Sequence, residues 1–75
     1  MELLNQETVQ GLTENTATIQ LEDGMVVIYK EWVNSKGKVV DTVIRSKNGY
    51  DIGEEDPGLF DEICDFIEGN GIFEG

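Results

Sequence analysis

Histidine does not occur in this sequence of 75 residues, and its absence narrows the chemistry that the chain can perform. The commonest general base of enzymes is not available. The one thiol, Cys64, has no imidazole to activate it and lies beside apolar positions of a predicted helix, which indicates a structural role. A pair of carboxylates could act as acid and base only in a cleft that shifts their pKa values, and so short a chain rarely encloses one. We therefore expect no enzymatic activity.

A short run of carboxylates before the predicted helix could hold a divalent metal. Asp51, Glu54, Glu55 and Asp56 supply hard oxygen ligands within one loop. They do not match the EF-hand loop, in which acids alternate around a central glycine. A lone cysteine without histidine cannot form a zinc site. The sequence therefore predicts no metal and no cofactor, and it indicates a solvated acidic loop that favours the positive end of the helix.

Charge is the strongest chemical signal that remains. The chain has 16 acidic and five basic residues, for a net charge of −11. Beyond residue 50 there are nine acids and no base. A field of this sign repels nucleic acid and membranes and attracts basic partners.

One C-terminal helix carries much of this charge. Asp56 is a good N-cap, Pro57 suits the first helical position, and Gly69 can take the left-handed conformation that ends a helix. Apolar residues recur at spacings of three and four and predict a buried face: Leu59, Phe60, Ile63, Phe66 and Ile67. Acids occupy another face, with no base beside them: Asp61, Glu62, Asp65 and Glu68.

The acidic face of this helix is the main candidate site. Ordinary protein surfaces mix charges of both signs, whereas carboxylates aligned on a rigid helix can imitate a phosphate backbone and occupy a basic groove. In general character the chain resembles phage-encoded inhibitors that block host nucleic-acid enzymes. The resemblance implies that it occludes a basic or nucleic-acid-binding surface of a partner protein. The predicted partner-binding residues are Glu54, Glu55, Asp56, Asp61, Glu62, Asp65 and Glu68. The competing interpretation is a solvated outer face.

Two alternatives use the middle of the chain, where all five basic residues lie between positions 30 and 47. The first is a sheet-based or SH3-like adaptor that binds a protein through an aromatic patch of Tyr29, Trp32 and Tyr50. The second is a nucleic-acid binder that uses the basic hairpin among these aromatic side chains. The net charge opposes the second, and lysines also protect strand edges from aggregation. We therefore expect no direct contact with nucleic acid.

The elements that would position these residues are short antiparallel strands. Patterns of alternation and turn residues predict strands over residues 6–12, 16–22, 25–33, 38–46 and 50–52. Gly11 would be a bulge in the first of these strands, and a helix over residues 2–9 is the alternative to that strand. Glu14-Asn15 is predicted to turn the chain.

Three glycines mark turns between the strands. Asp23-Gly24 predicts a two-residue hairpin loop, which would place Ile19 and Leu21 on one face with Val26 and Ile28. Residues 34–37 predict a type I turn with Gly37 in the left-handed region, and Asn48-Gly49 predicts a third turn.

The predicted fold is α+β: an antiparallel meander of four to five short strands covered by one C-terminal helix. A small SH3-like barrel plus helix is the alternative, because residues 9–12 and 17–24 are similar to the opening hairpins of such barrels. We expect one domain over residues 1–75, with flexible ends at 1–5 and 70–75. The alternatives for Ile72 and Phe73 are that they fold back onto the core or stay exposed as a contact. The chain has one cysteine, no apolar run that could span a membrane and no signal-peptide pattern at its start, so we expect it in the cytoplasm.

Overall fold

Four antiparallel strands form one sheet, and each strand pairs with the next along the chain in the order β1-β2-β3-β4. The computed structural model of the chain describes residues 1–9 and 14–73. Its elements are β1 (Glu2–Val9), β2 (Glu14–Gln20), β3 (Val26–Val33), β4 (Val39–Ser46), α1 (Ile52–Glu55) and α2 (Pro57–Gly69). The predicted meander followed by a C-terminal helix is confirmed. In the described residues β1 and β4 are the two edges and do not pair with each other, so the chain does not adopt the alternative barrel.

The first strand begins earlier than the sequence predicts. Residues 2–5, expected as a flexible end, lie in β1, where Glu2 is opposite Gln20 and Leu3 is opposite Ile19. The alternative helix over residues 2–9 is wrong as well. The local preference of these residues for helix or strand is weak, and hydrogen bonding to β2 decides in favour of the strand. The predicted turn at Glu14-Asn15 is also wrong, since both residues begin β2. The proposed bulge at Gly11 lies outside the described residues.

Three turns in the chain share one geometry. Gly24, Gly37 and Gly49 have φ angles of 91°, 79° and 88°, a region that favours glycine. Each glycine N–H donates to the carbonyl three residues earlier, over 3.0, 2.9 and 2.9 Å respectively. The predicted turn over residues 34–37 is therefore confirmed. The first turn differs from the prediction, because its central residues are Glu22 and Asp23 rather than Asp23 and Gly24.

This extra loop residue shifts the pairing of β2 with β3 by one position. Ile19 lies opposite Val27, and Thr18 lies opposite Ile28. A shift of one residue moves every side chain of a strand to the other face. The predicted grouping of Ile19 and Leu21 with Val26 and Ile28 is therefore wrong, and β3 turns Val27 and Tyr29 towards the helices instead.

Helix α2 covers one face of the sheet, as the sequence predicts. The buried core joins sheet residues to residues of both helices, and it contains Ala17, Ile19, Leu21, Val27, Tyr29, Ile44, Ile52, Ile63 and Ile67. Because the buried residues of α1 and α2 belong to this single cluster, the described helices leave the opposite face of the sheet open.

A single helical turn replaces the fifth strand predicted over residues 50–52. Asp51 makes only an isolated bridge with Arg45, and its carboxylate accepts a hydrogen bond from the Glu54 N–H at 3.3 Å. This cap starts α1 at Ile52, whose side chain is fully buried. Burial of Ile52 therefore favours a helical turn over a fifth strand at residues 50–52.

The two ends of α2 differ in how well the sequence predicts them. Asp56 caps the start, where its carboxylate accepts from the Leu59 N–H at 3.2 Å. Gly69 is the last helical residue rather than the terminating one, and the left-handed position belongs to Gly71, with a φ of 59°. The Ile72 N–H donates to the Ile67 carbonyl at 3.3 Å, which with the Gly71 N–H bond to Glu68 forms a Schellman motif.

This cap brings residues 72 and 73 back to the core. Ile72 and Phe73 both pack against the buried cluster. The Phe73 ring stacks on Tyr29, with 6.1 Å between the ring centroids. Residues 70–73 are thus part of the packed structure rather than a flexible end, in agreement with the alternative that Ile72 and Phe73 fold back onto the core.

Candidate functional site

The outer face of α2 presents carboxylates to solvent. Ile63 and Ile67 lie at the buried centre of the contact with the sheet and fix the rotation of the helix. The acids between and around them are therefore turned away from the core. All seven predicted partner-binding residues are exposed, and we name them the acidic surface: Glu54, Glu55, Asp56, Asp61, Glu62, Asp65 and Glu68.

The acidic surface has no cation to neutralise it within the part of the chain that the structure describes. The one ion pair found there joins Lys30 to Glu14 across the sheet, at 3.6 Å. Neither the first nor the last turn of α2 contains a basic residue. Glu68 even lies near the negative end of the helix dipole, where a carboxylate is unfavourable. Negative charge is thus concentrated on this side of the molecule.

Cys64 lies between the core and the acidic surface. Its side chain is half-buried and packs against the apolar cluster. Burial raises the pKa of the Cys64 thiol, and the nearby carboxylates of Glu68, Asp61 and Asp65 raise it further. The thiol therefore stays protonated at neutral pH, which does not favour a nucleophilic role.

A hollow of about 520 Å³ adjoins the N-terminal end of α2. Asp56, Leu59 and Glu62 form its helical side. Its sheet side consists of Met1, Leu21, Glu22, Asp23 and Met25. Carboxylates above an apolar floor suit a long basic side chain, whose stem can pack on the floor while its charged head meets the acids. Sequence reasoning missed this hollow, because it joins the first turn and the helix across the fold.

The acids of the chain do not gather into a metal site. Across residues 1–9 and 14–73, no group of three cysteine, aspartate or glutamate side chains lies close enough to hold a metal ion. Asp51 and Asp56 instead serve as helix caps.

Glu31 is a buried carboxyl group that sequence reasoning did not single out. It lies on the covered face of β3, between Asn15 and Thr42 on the neighbouring strands, and only 5% of it is exposed. Burial raises the pKa of Glu31, a hydrogen bond with the Asn15 side chain partly opposes this rise, and Glu68 adds to it. The residue is enclosed by the sheet and the helix rather than by a substrate cleft.

The three aromatic residues of the alternative patch do not lie together. Tyr29 is 5% exposed beneath the helix, and its burial, together with the charge of Glu31, raises its pKa to about 12. Trp32 lies on the opposite, open face of the sheet. Tyr50 is 47% exposed at the turn after β4. Tyr29 and Trp32 are three positions apart on β3, so the alternation of side chains along the strand turns them to opposite faces.

The open face holds a groove between β3 and β4 with a volume of about 510 Å³. Its lining residues are Ile28, Lys30, Trp32, Val43, Arg45, Ser46, Lys47 and Gly49. A second depression of about 680 Å³ shares Ser46 and Lys47 with it and extends to Val26 and Tyr50. Trp32, Tyr50 and three of the five basic residues thus line this face, away from α2.

Comparisons with protein-family models, with curated proteins and with solved structures give no significant match to this chain. Similarity to known proteins therefore does not indicate a function. Neither of the described helices is long and apolar enough to cross a membrane.

Proposed function

We propose that this chain is a small non-catalytic module that binds a basic surface of a partner protein through its acidic surface. The observation that carries the proposal is the exposure of all seven carboxylates, none of which forms an ion pair in the described part of the chain. The basic surface is of the kind that normally holds nucleic acid, and the module acts by occluding it.

The rigid attachment of α2 to the sheet favours partner binding over the interpretation that the acidic surface is only a solvated outer face. Ile63 has no exposed surface and Ile67 has almost none, so α2 is held firmly on the sheet. Asp56 and the Schellman motif fix its two ends. Preorganised charges lose little conformational entropy when a partner binds them. Asp61 and Asp65 also repel each other at i, i+4, which costs a few tenths of a kcal/mol and is consistent with a use for both charges.

Apolar contacts next to the charges would add affinity that salt does not screen. The hollow beside Leu59 and Glu62 can receive a lysine or arginine side chain of the partner. Charge would then guide the encounter, and the buried stem would slow dissociation. We place the module in the cytoplasm, because small domains of oxidising compartments usually contain disulfides and this chain has one half-buried thiol.

A pull-down from the native host at low and high salt tests this function. We expect a basic protein to be retained at low salt and lost steeply as salt rises, because added salt screens exposed charges. Short double-stranded DNA should displace the module from this protein if both occupy one basic surface. Retention of a partner that neither salt nor DNA affects would overturn the proposal.

The aromatic adaptor and the nucleic-acid binder are alternatives that both use the open face. Of the three aromatic residues, Trp32 lies on that face and Tyr50 at its end, whereas Tyr29 is buried on the other side. Replacement of Trp32 by alanine is the test of either alternative, because loss of partner binding by a still-folded variant would favour the open face over the acidic surface.

A further inference from the structure

The open face of the sheet combines apolar and basic side chains in one groove. Ile28 and Val43 form the apolar part of its floor, and Trp32 closes one end. Arg45 lies directly opposite Ile28, and Lys30 lies opposite Val43. Val26 continues the floor towards Tyr50 at the other end. From Trp32 to Val26 the groove follows β3 for about 20 Å, given about 3.3 Å per strand residue. This length fits about six residues of an extended peptide.

The charge of the groove is opposite to that of the rest of the molecule. Lys30, Arg45 and Lys47 line it and its extension, and no acid occurs among the described lining residues. The chain as a whole has a net charge of −11. Lys30 is paired with Glu14 at 3.6 Å, so Arg45 and Lys47 are the cations that make the groove complementary to an anionic ligand with apolar parts.

We propose that this groove binds a short, extended segment of a partner protein in which acidic residues alternate with aliphatic ones. In an extended segment, alternate side chains point to opposite sides. Aliphatic side chains would pack on Ile28 and Val43, and the carboxylates on the outer side would meet the long, exposed side chains of Arg45 and Lys47. This site is separate from the acidic surface, and the binding of one ligand does not depend on that of the other.

The details of the groove favour a peptide over single-stranded nucleic acid. Bases need aromatic faces for stacking, and none of the described lining residues between Trp32 and Tyr50 is aromatic. Lys30 is already paired with Glu14 at 3.6 Å. A polyanion would also meet the strong negative charge of the whole chain, whereas a short peptide with a few carboxylates meets less repulsion and has side chains that fit the floor.

Fluorescence anisotropy with defined probes tests the proposal. The probe is a labelled ten-residue peptide in which glutamate and leucine alternate. Control peptides replace every glutamate by lysine, or every leucine by serine, and labelled decathymidylate represents nucleic acid. We expect the glutamate–leucine peptide to bind and each control to bind at least tenfold more weakly. Absent binding, equal binding of either control peptide, or tighter binding of decathymidylate would overturn the proposal.

Two matched variants locate the site. Lys47→Glu changes a lysine in the turn at the groove, and Lys36→Glu changes a lysine in a turn of the same geometry outside it. We expect at least a tenfold loss of peptide affinity for Lys47→Glu and less than a twofold loss for Lys36→Glu. Equal losses of affinity would mean that peptide binding responds only to the net charge of the protein, and they would overturn the assignment of the binding site to the groove. A wild-type dimer that Lys47→Glu dissociates in sedimentation would overturn it as well, because a second copy would then be the occupant.

Discussion

Ile63 lies where α2 meets the sheet, and its side chain has no exposed surface. Replacement by alanine leaves a cavity, so we expect Ile63→Ala to lower the free energy of unfolding by about 2–5 kcal/mol. Ile63→Asp should prevent folding, because it buries an unpaired charge. Urea melts followed by circular dichroism measure both effects. If both variants unfold at the wild-type urea concentration, the packing of α2 on the sheet is not what stabilises this fold.

Glu31 gives the stability of the protein a predictable dependence on pH. Because burial raises its pKa in the folded state, the folded chain binds the Glu31 proton more tightly than the unfolded chain. The resulting stabilisation is complete below the unfolded pKa of about 4.3 and is lost as pH rises through the folded pKa.

Glu31→Gln removes this titration while keeping the shape of the side chain. We expect the stability of the variant relative to wild type to be greater at pH 7 than at pH 4. Urea midpoints of both proteins across this range measure the difference, and repulsion among the exposed acids cancels because both proteins share it. A difference in stability that is constant with pH would contradict the assignment.

Cys64 should react slowly with thiol reagents in the folded protein. The thiolate is the reactive form, and both burial and the neighbouring carboxylates disfavour it. Labelling with Ellman's reagent at pH 7 should be much slower for native protein than for protein in 6 M guanidinium chloride. Equal rates would mean that the thiol is freely accessible beside the acidic surface.

At the scale of the elements, the C-terminal end of α2 allows a matched test with two glycines. Gly71 has a φ of 59°, whereas Gly69 is helical and an added Cβ at Gly69 meets no atom within 4 Å. We expect Gly71→Ala to cost about 1 kcal/mol through left-handed strain. Gly69→Ala should be neutral or stabilise by up to about 1 kcal/mol, because alanine favours the helix. Thermal unfolding of both variants would show the reverse order if Gly69 were the terminating residue.

Local signals predicted most of the elements and failed where distant contacts decide. Asp56, Pro57 and the apolar spacing gave the start and the buried face of α2, and with them the exposed acids of the site. The turn at Asp23-Gly24 is a different case, because two-residue and three-residue loops share the same sequence signal and differ by one position of pairing. That single position turns Tyr29 to the core, whereas the separation of Tyr29 from Trp32 follows from alternation alone, because they are three positions apart on β3.

The remaining features depend on contacts between distant parts of the chain. The pairing of residues 2–5 with β2, the return of Ile72 and Phe73 to the core, and the hollow beside Glu62 each join segments that lie far apart in sequence. Propensity within a short window contains no information on such contacts.

At the scale of the whole molecule, charge divides the protein into two sides. The helices present the acidic surface, and the opposite face of the sheet presents the groove with Lys30, Arg45 and Lys47. The sheet, with its buried core, separates these two fields. A molecule of this kind can approach a basic partner in one preferred orientation, because the partner attracts one side and repels the other.

The affinity of a neutralised variant for the partner recovered from the host tests the central claim most directly. Asp61→Asn, Asp65→Asn and Glu68→Gln together remove three charges from α2 and also its like-charge repulsion at i, i+4. The matched control removes three exposed charges away from the acidic surface and its hollow, through Glu2→Gln, Glu7→Gln and Asp41→Asn. Titration calorimetry at low salt compares both variants with wild type, and circular dichroism confirms their folding. We predict at least a tenfold loss of affinity for the α2 variant and a much smaller loss for the control. Wild-type affinity in the α2 variant would contradict the claim that the acidic surface is the contact.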